Sequence, residues 1–186
     1  MTVPSLETPR LVLRPLVPVD ADSLLAYRSD PETCRYVPFA PMDRREIDRR
    51  MREQWSSQDL DAPGSAVTLG VVEKATGRLI GDVVLFRDKT DGRLAELGYI
   101  FSPDVAGRGY ATEAGRALLA YSFEVVGFAR VAARLDARNT ASARVLERLG
   151  MRREAELVDA EWFKGEWTTT LIYAMLAREW AADPLS

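Results

Sequence analysis

One continuous stretch, residues 94–127, constrains the fold most, because it joins a buried strand, a glycine turn and a helix. Residues 94–101 are apolar at nearly every position except Glu96, as in a strand that is covered on both faces. Pro103 ends this strand, and Gly107-Arg108-Gly109 predicts a tight turn. Apolar residues then recur at helical spacing as far as Gly127, a residue type that commonly ends helices.

A strand, a glycine turn and a helix in this order predict an anion site, most simply a phosphate site. Backbone N–H groups and the positive end of the helix dipole point at the same small volume. A P-loop would need a lysine entering the helix, and this turn has none. A dinucleotide-binding turn would need a third glycine where this chain has Thr112. A nucleotide-binding protein is therefore disfavoured.

The turn and four further segments resemble the GNAT N-acetyltransferase superfamily. Residues 106–114 (AGRGYATEA) resemble its pyrophosphate-binding segment, most closely that of the branch that includes the ribosomal-protein N-terminal (alanine/serine) acetyltransferases. The other segments typical of that branch occur in the expected order and, with the turn, cover nearly the whole chain: TPRLVLRP (8–15), NTAS (139–142), VLERLGM (145–151) and GEWTTTLIY (165–173).

The resemblance implies an α/β fold with a single mixed, mostly antiparallel twisted sheet of about seven strands, flanked by helices. The central strands would part in a V shape. The whole chain, residues 1–186, is expected to form a single domain. The local patterns predict helices at 21–28 (capped by Asp20), 43–58, 110–126 and 139–150 (capped by Asn139), with a proline-rich irregular segment at 34–41.

The same resemblance implies acetyl-CoA as cosubstrate and a primary amine as acceptor. Pantetheine would pair with the free edge of the central strand at Tyr99, Ile100 and Phe101. The pyrophosphate would lie on the amides of Gly107, Arg108, Gly109, Tyr110, Ala111 and Thr112, with Asn139 also placed among the cofactor-binding residues. The superfamily usually has Gln or Arg where this chain has Ala106, so one side-chain phosphate contact is expected to be absent.

Two residues are the candidates for catalysis, in direct transfer within a ternary complex. Glu96 is the candidate base, acting directly or through water, since an amine must lose its proton before it attacks. The alternative is a strand carboxylate that faces solvent or pairs with an arginine. Many GNAT members have a tyrosine acid where this chain has Leu146, and Ser142 is the substitute expected by analogy. Alternatively, Ser142 only supports the cap at Asn139.

The acceptor is the least constrained part of the prediction. Tyr36 and Trp162 are candidates for its pocket, although aromatic residues at such places are also typical of a core. A protein N-terminal amine, an aminoglycoside, a polyamine and a small metabolite remain open as acceptors. A rival function is a CoA-binding sensor or partner domain with impaired catalysis, which a filled acceptor pocket would favour.

Composition narrows the partners and the chemistry. A formal net charge of -3 argues against nucleic acid, and the apolar runs are too short for a signal peptide or a bilayer span, so no membrane contact is expected. The single cysteine, Cys34, excludes an internal disulfide and suits the cytoplasm. The absence of histidine rules out His-based triads and His-rich metal sites, and no metal is expected. A homodimer is left open.

Overall fold

The computed structural model describes residues 3–182, in which eight strands form one mixed sheet. Their order across the sheet is β1-β2-β3-β4-β5-β6-β8-β7, and only the β5–β6 pair is parallel. The eighth strand, beyond the seven expected, is β1, whose two residues are too few to produce a pattern in the sequence. The strands are β1 Leu6–Glu7, β2 Leu11–Pro15, β3 Ala66–Glu73, β4 Leu79–Arg87, β5 Leu94–Phe101, β6 Arg130–Asp136, β7 Arg152–Phe163 and β8 Glu166–Leu176.

The α-helices are α1 Ala21–Arg28, α2 Arg44–Glu53, α3 Tyr110–Ala120, α4 Thr140–Arg148 and α5 Ala177–Trp180. The predicted cap of α4 is confirmed, because the Asn139 carboxamide oxygen accepts the Ser142 N–H at 3.1 Å. Asp20 is the N-terminal cap residue of α1, as predicted, but its side chain makes no capping hydrogen bond. The Asp20 carboxylate accepts instead from the Arg14 guanidinium at 2.7 and 2.8 Å and from the Val17 N–H at 2.8 Å.

The predicted third helix differs at its C-terminal end. It is α-helical to Ala120 and then continues as one π turn, Tyr121–Val125, before Gly127 with φ of +78°. The wider turn shifts the later residues around the helix axis. Val125, which the helical spacing places on the buried face, is consequently 58% exposed.

Two hydrophobic clusters pack on opposite faces of the sheet. Adjacent side chains of a strand point to opposite faces, and on β5 Leu97 belongs to the cluster under α3 and α4, whereas Ile100 belongs to the cluster under α1 and α2. β5 is thus covered on both sides, as its continuous apolar pattern predicts. Among residues 3–182, no helix combines the length and the apolar character needed to cross a bilayer.

Candidate active site

The site begins where the two central strands diverge. β5 pairs with β4 from Ala95 to Phe101, but its parallel pairing with β6 ends at Glu96 and Ala132. Beyond that point, the edge of β5 that faces β6 has no pairing with it, which is the V-shaped opening that the sequence resemblance implies. A cavity of about 360 Å³ lies at this opening. Its lining comes from both strands and from both faces of the sheet.

The floor of the cavity on the α1 and α2 side is a patch of three strands. Glu96 on β5 pairs with Phe86 on β4, and Gly98 pairs with Val84 in the next row of this face. An added Cβ at Gly98 would lie 3.0 Å from Val84 Cγ1, so any larger residue at this position would have to displace the Val84 side chain.

Glu96 is partly buried, and within the described residues its carboxylate accepts no hydrogen bond. Among residues 3–182, no group donates a hydrogen bond to this carboxylate, and Arg134 pairs instead with Glu161 at 3.0 Å. Burial raises the pKa of Glu96 above its ordinary value, although the Arg134 guanidinium acts in the opposite direction. Glu96 therefore has the properties of a base that can accept a proton in the cavity.

The glycine turn has the geometry that an anion site needs. Gly107 and Gly109 have φ of +76° and +80°, a region that favours glycine. Gly109 is the N-terminal cap residue of α3, and no side chain caps this helix end. The first N–H groups of α3 are therefore left for an external acceptor at the positive end of the helix. An added Cβ at Gly107 would meet nothing within 4 Å, so the turn is open on that side. The residues present thus fit a pyrophosphate.

Thr8 and Arg10, which precede β2, hold this turn in place through hydrogen bonds, a role that the sequence patterns did not identify. Glu113 in the first turn of α3 accepts from the Thr8 hydroxyl at 2.6 Å and from the Arg10 N–H and Nε at 3.0 and 2.6 Å. Arg10 Nη1 also donates to the Arg108 carbonyl at 3.0 Å. The residues before β2 therefore hold the turn and the start of α3 together, 98 to 105 positions away in the sequence.

On the α4 side, the cavity is lined by Ser142, Tyr99, Asn139 and Leu146. The Tyr99 hydroxyl donates to the Ser142 carbonyl at 3.1 Å, which ties α4 to β5. The cap bond with Asn139 uses the backbone N–H of Ser142, and its hydroxyl makes no hydrogen bond within the described part of the chain. Burial raises the pKa of Tyr99 far above its ordinary value, so its phenol stays protonated. Leu146, in the place of the usual tyrosine, adds an apolar wall.

The two aromatic residues predicted for the acceptor pocket lie in different places. Tyr36 is half-buried and lines the cavity, together with Phe39 from the same irregular segment. Trp162 is 63% exposed on β7, packs its ring edge-on against Trp167 at 5.5 Å, and is not part of the cavity lining. Its contact with the acceptor stays a prediction.

The cavity wall also contains a buried ion pair. Arg28 donates to the Asp82 carboxylate at 2.5 and 3.1 Å, and the Tyr27 hydroxyl donates to the same carboxylate at 2.6 Å. The Arg28 guanidinium lies 4.8 Å from the ring centroids of both Phe39 and Trp55. The pair joins residues 54 positions apart, so no local sequence pattern could identify it.

Comparison with known proteins agrees with this geometry. Residues 10–152 match the family model described as the "Acetyltransferase (GNAT) domain". The chain is 33% identical to "Uncharacterized N-acetyltransferase p20" of Bacillus licheniformis over 95% of this chain and 98% of that protein. It is 28% identical to "Putative ribosomal N-acetyltransferase YdaF" of Bacillus subtilis over 93% and 94% of the two chains.

The fold also matches solved structures closely. The acetyltransferase of the GNAT family from Bacillus anthracis superimposes with a TM-score of 0.83 at 27% identity, covering 94% of this chain and 99% of that chain. The family model and the p20 relative both span most of the chain, so the predicted family is confirmed. This chain belongs to the GNAT family and is an acetyl-CoA-dependent N-acetyltransferase.

Proposed function

We propose that the protein transfers the acetyl group of acetyl-CoA to an α-amine by direct attack within a ternary complex, with Glu96 as the base. One observation carries this proposal: a single cavity at the strand opening joins Glu96, on one face of the sheet, to Ser142, on the other. An acceptor amine beside Glu96 and a thioester beside Ser142 would meet in that opening.

The residues that would hold acetyl-CoA are those of the turn and of the strand edge. The amides of residues 107–112 would bind the pyrophosphate, and the free edge of β5 at Tyr99, Ile100 and Phe101 would pair with pantetheine. A hydrogen bond to a charged group contributes roughly 1.5–3 kcal/mol, so a few amides suffice without a side chain at Ala106. Acetyl-CoA supplies the activated acetyl group as a thioester.

Glu96 would take the proton of the attacking amine, directly or through water. An α-amine has a pKa of about 7.7–8.0, whereas a lysine side chain has one of about 10.4. A single partly buried carboxylate is sufficient to deprotonate an α-amine, because less of it is protonated at neutral pH than of a lysine side chain. This favours an α-amine as acceptor. A protein N-terminus is one such acceptor, and the name of the YdaF relative supports it.

Direct attack needs no enzyme nucleophile, and the state of Cys34 is consistent with this. Burial raises the pKa of the Cys34 thiol, and its Sγ donates to the Arg28 carbonyl at 3.2 Å. Both effects disfavour the thiolate that nucleophilic catalysis requires.

Ser142 would donate a hydrogen bond or a proton to the leaving thiolate. Ser142 lines the cavity, and its hydroxyl is not occupied by the helix cap, which uses the backbone N–H. Tyr99 would position Ser142 through its hydrogen bond to the Ser142 carbonyl. An open cavity beside Glu96 supports an active enzyme over a binding-only sensor, for which a filled pocket would be expected.

The test is release of free thiol from acetyl-CoA across a panel of N-terminal peptides, amino acids, aminoglycosides and polyamines, with a CoA thermal shift in parallel. We expect CoA to raise the melting temperature and thiol release to require an acceptor with an α-amine. Release only with acceptors that lack an α-amine would refute the α-amine assignment. A CoA shift with no release across the full panel would support the sensor.

A further inference from the structure

We infer that the acceptor is a monoamine with an apolar or aromatic body and a carboxylate at the end remote from the amine, bound by Arg50. This inference rests on the proposed function, because it assumes that the reacting amine lies beside Glu96. It follows from the charges that line the cavity, from the aromatic residues between them, and from the hydrogen bonds that Arg50 leaves unused.

The ionisable groups of the cavity favour an acceptor with one amine. Its carboxylates are Glu96 and Asp82, and three hydrogen bonds from Tyr27 and Arg28 already occupy Asp82. Three guanidinium groups line the same space, those of Arg28, Arg50 and Arg134. A second ammonium group on the acceptor would meet no free carboxylate in this lining, because Asp82 is paired with Arg28, and Glu46 and Glu161 are paired with Arg50 and Arg134. Polyamines and aminoglycosides are therefore poor fits.

The space between the two ends of the cavity is mostly apolar, with Thr68, the β3 partner of Val84, as a polar exception. Along β4, Phe86 lies beside Glu96, and Asp82 lies four positions further along the same face. At about 3.3 Å per residue this corresponds to roughly 13 Å. Val84 and Gly98 line the floor between them, and Tyr36, Phe39 and Trp55 line the walls. An acceptor body that fills this length would be apolar or aromatic.

Arg50 lies beside the same aromatic wall and keeps most of its donors. Its guanidinium carbon is 5.8 Å from the Phe39 ring centroid, and Arg28 is 4.8 Å from the same ring. Arg50 Nε donates to Glu46 at 2.6 Å, while its two Nη groups make no hydrogen bond within residues 3–182. The side chain is only 25% exposed. Two adjacent N–H donors in a partly desolvated site fit the two oxygens of a carboxylate.

The test compares acceptors that differ only in the remote anion. The pair is the tetrapeptide Ala-Phe-Ala-Ala, about 13 Å long when extended, and its C-terminal amide, which share an α-amine and an aromatic side chain, with spermidine as the polycation. We expect the wild-type KM for the acid to be roughly 10- to 100-fold below that for the amide, as for one charge-assisted hydrogen-bonded contact. Spermidine is expected to be the poorest acceptor.

Variants assign the effect to Arg50. In Arg50→Gln, the KM difference between acid and amide is expected to disappear. Arg45→Gln is the matched control on α2, because Arg45 is exposed and outside the cavity lining, and it should keep the wild-type difference. Cooperative melting of both variants establishes that they are folded.

Each outcome decides a separate question. Equal KM values for acid and amide together with equal KM values for the Asp and Asn tetrapeptide amides below, or a preference for spermidine, would overturn the anionic acceptor, while acetylation itself would uphold the enzyme. An acid preference that survives Arg50→Gln would also overturn the assignment. The tetrapeptide amides Ala-Phe-Asp-Ala and Ala-Phe-Asn-Ala distinguish the source of the anion. If the enzyme prefers the Asp peptide over the Asn peptide but does not distinguish the acid from the amide, the recognised anion is on a peptide side chain, and the inference is upheld. No acetylation of any amine would refute the proposed function itself.

Discussion

The buried ion pair in the cavity wall makes a sharp prediction about stability. The side chains of Arg28 and Asp82 are 6% and 3% exposed and lie 2.5 Å apart. Asp82→Asn keeps the shape of the side chain and removes its charge, which leaves the Arg28 guanidinium buried without a counter-ion. Breaking such a pair from one side costs about 3–5 kcal/mol, because the remaining charge stays desolvated.

This loss is large enough to measure in two ways. For a chain of this length, 1 kcal/mol corresponds to about 2–4 °C, so Asp82→Asn should lower the melting temperature by roughly 6–20 °C. Urea unfolding gives the free energy directly. Asp104→Asn is the matched control, since Asp104 pairs with Arg78 at 2.6 Å but both side chains are about half exposed, at 49% and 46%. That change should cost less than about 1 kcal/mol.

A double variant separates an unpaired charge from lost packing. Arg28→Met with Asp82→Leu replaces both charges by apolar groups of similar size. Made in the Tyr27→Phe background, which removes the hydroxyl that would lose its acceptor, this double variant should recover most of the stability that Asp82→Asn loses. If Asp82→Asn costs no more than Asp104→Asn, the pair is not desolvated and the reasoning fails. If the double variant is as unstable as the single one, packing and not charge explains the loss.

Three further predictions concern the site. Gly109→Val should weaken CoA binding, measured by calorimetry, at least tenfold. The control Gly77→Val, at a similar positive φ in the β3–β4 turn, should cost a comparable backbone strain of about 1–3 kcal/mol and leave CoA binding unchanged. An unchanged CoA affinity in the folded Gly109 variant would refute the phosphate site. Ser142→Ala should lower kcat roughly 10- to 100-fold with little change in stability. Asn139→Ala, which removes the helix cap, should instead cost about 1 kcal/mol of stability. An unchanged kcat in Ser142→Ala would remove Ser142 from the reaction. An acceptor role for Trp162 predicts a raised acceptor KM in Trp162→Ala, and an unaltered KM would exclude it.

Features that depend on neighbouring residues were predictable from the sequence. The strand, glycine turn and helix around Gly107 and Gly109 follow from apolar spacing and from the need for positive φ. Asn139 was predictable as a cap because a short acceptor side chain precedes a helical pattern. The central strand, and the position of Glu96 on it, were predictable from the continuous apolar pattern of neighbouring residues.

Features that depend on tertiary contact were not predictable. Arg50 sits on a helix whose charges alternate and pair along the surface, such as Glu46 with Arg49 at 2.8 Å, so the pattern gives no sign that Arg50 also reaches the cavity. Trp55 extends the apolar stripe of α2 but lies beyond its end at Glu53, where helical spacing no longer indicates direction. The residue types of the π turn Tyr121–Val125 likewise give no sign that the helix widens there.

The most direct test of the central claim is the pH dependence of kcat/KM for acetyl transfer in wild type and in Glu96→Gln. Burial raises the Glu96 pKa, so the wild-type rate should fall as pH decreases through that pKa, at a pH above that of an ordinary glutamate. Glu96→Gln should lose this acid limb and about 10²- to 10⁴-fold in rate, with CoA affinity retained. Because a carboxyl with a raised pKa destabilises the fold once ionised, the variant should also be more stable than the wild type at neutral pH. Wild-type rates with the same pH profile in Glu96→Gln would contradict the account and remove Glu96 from the reaction.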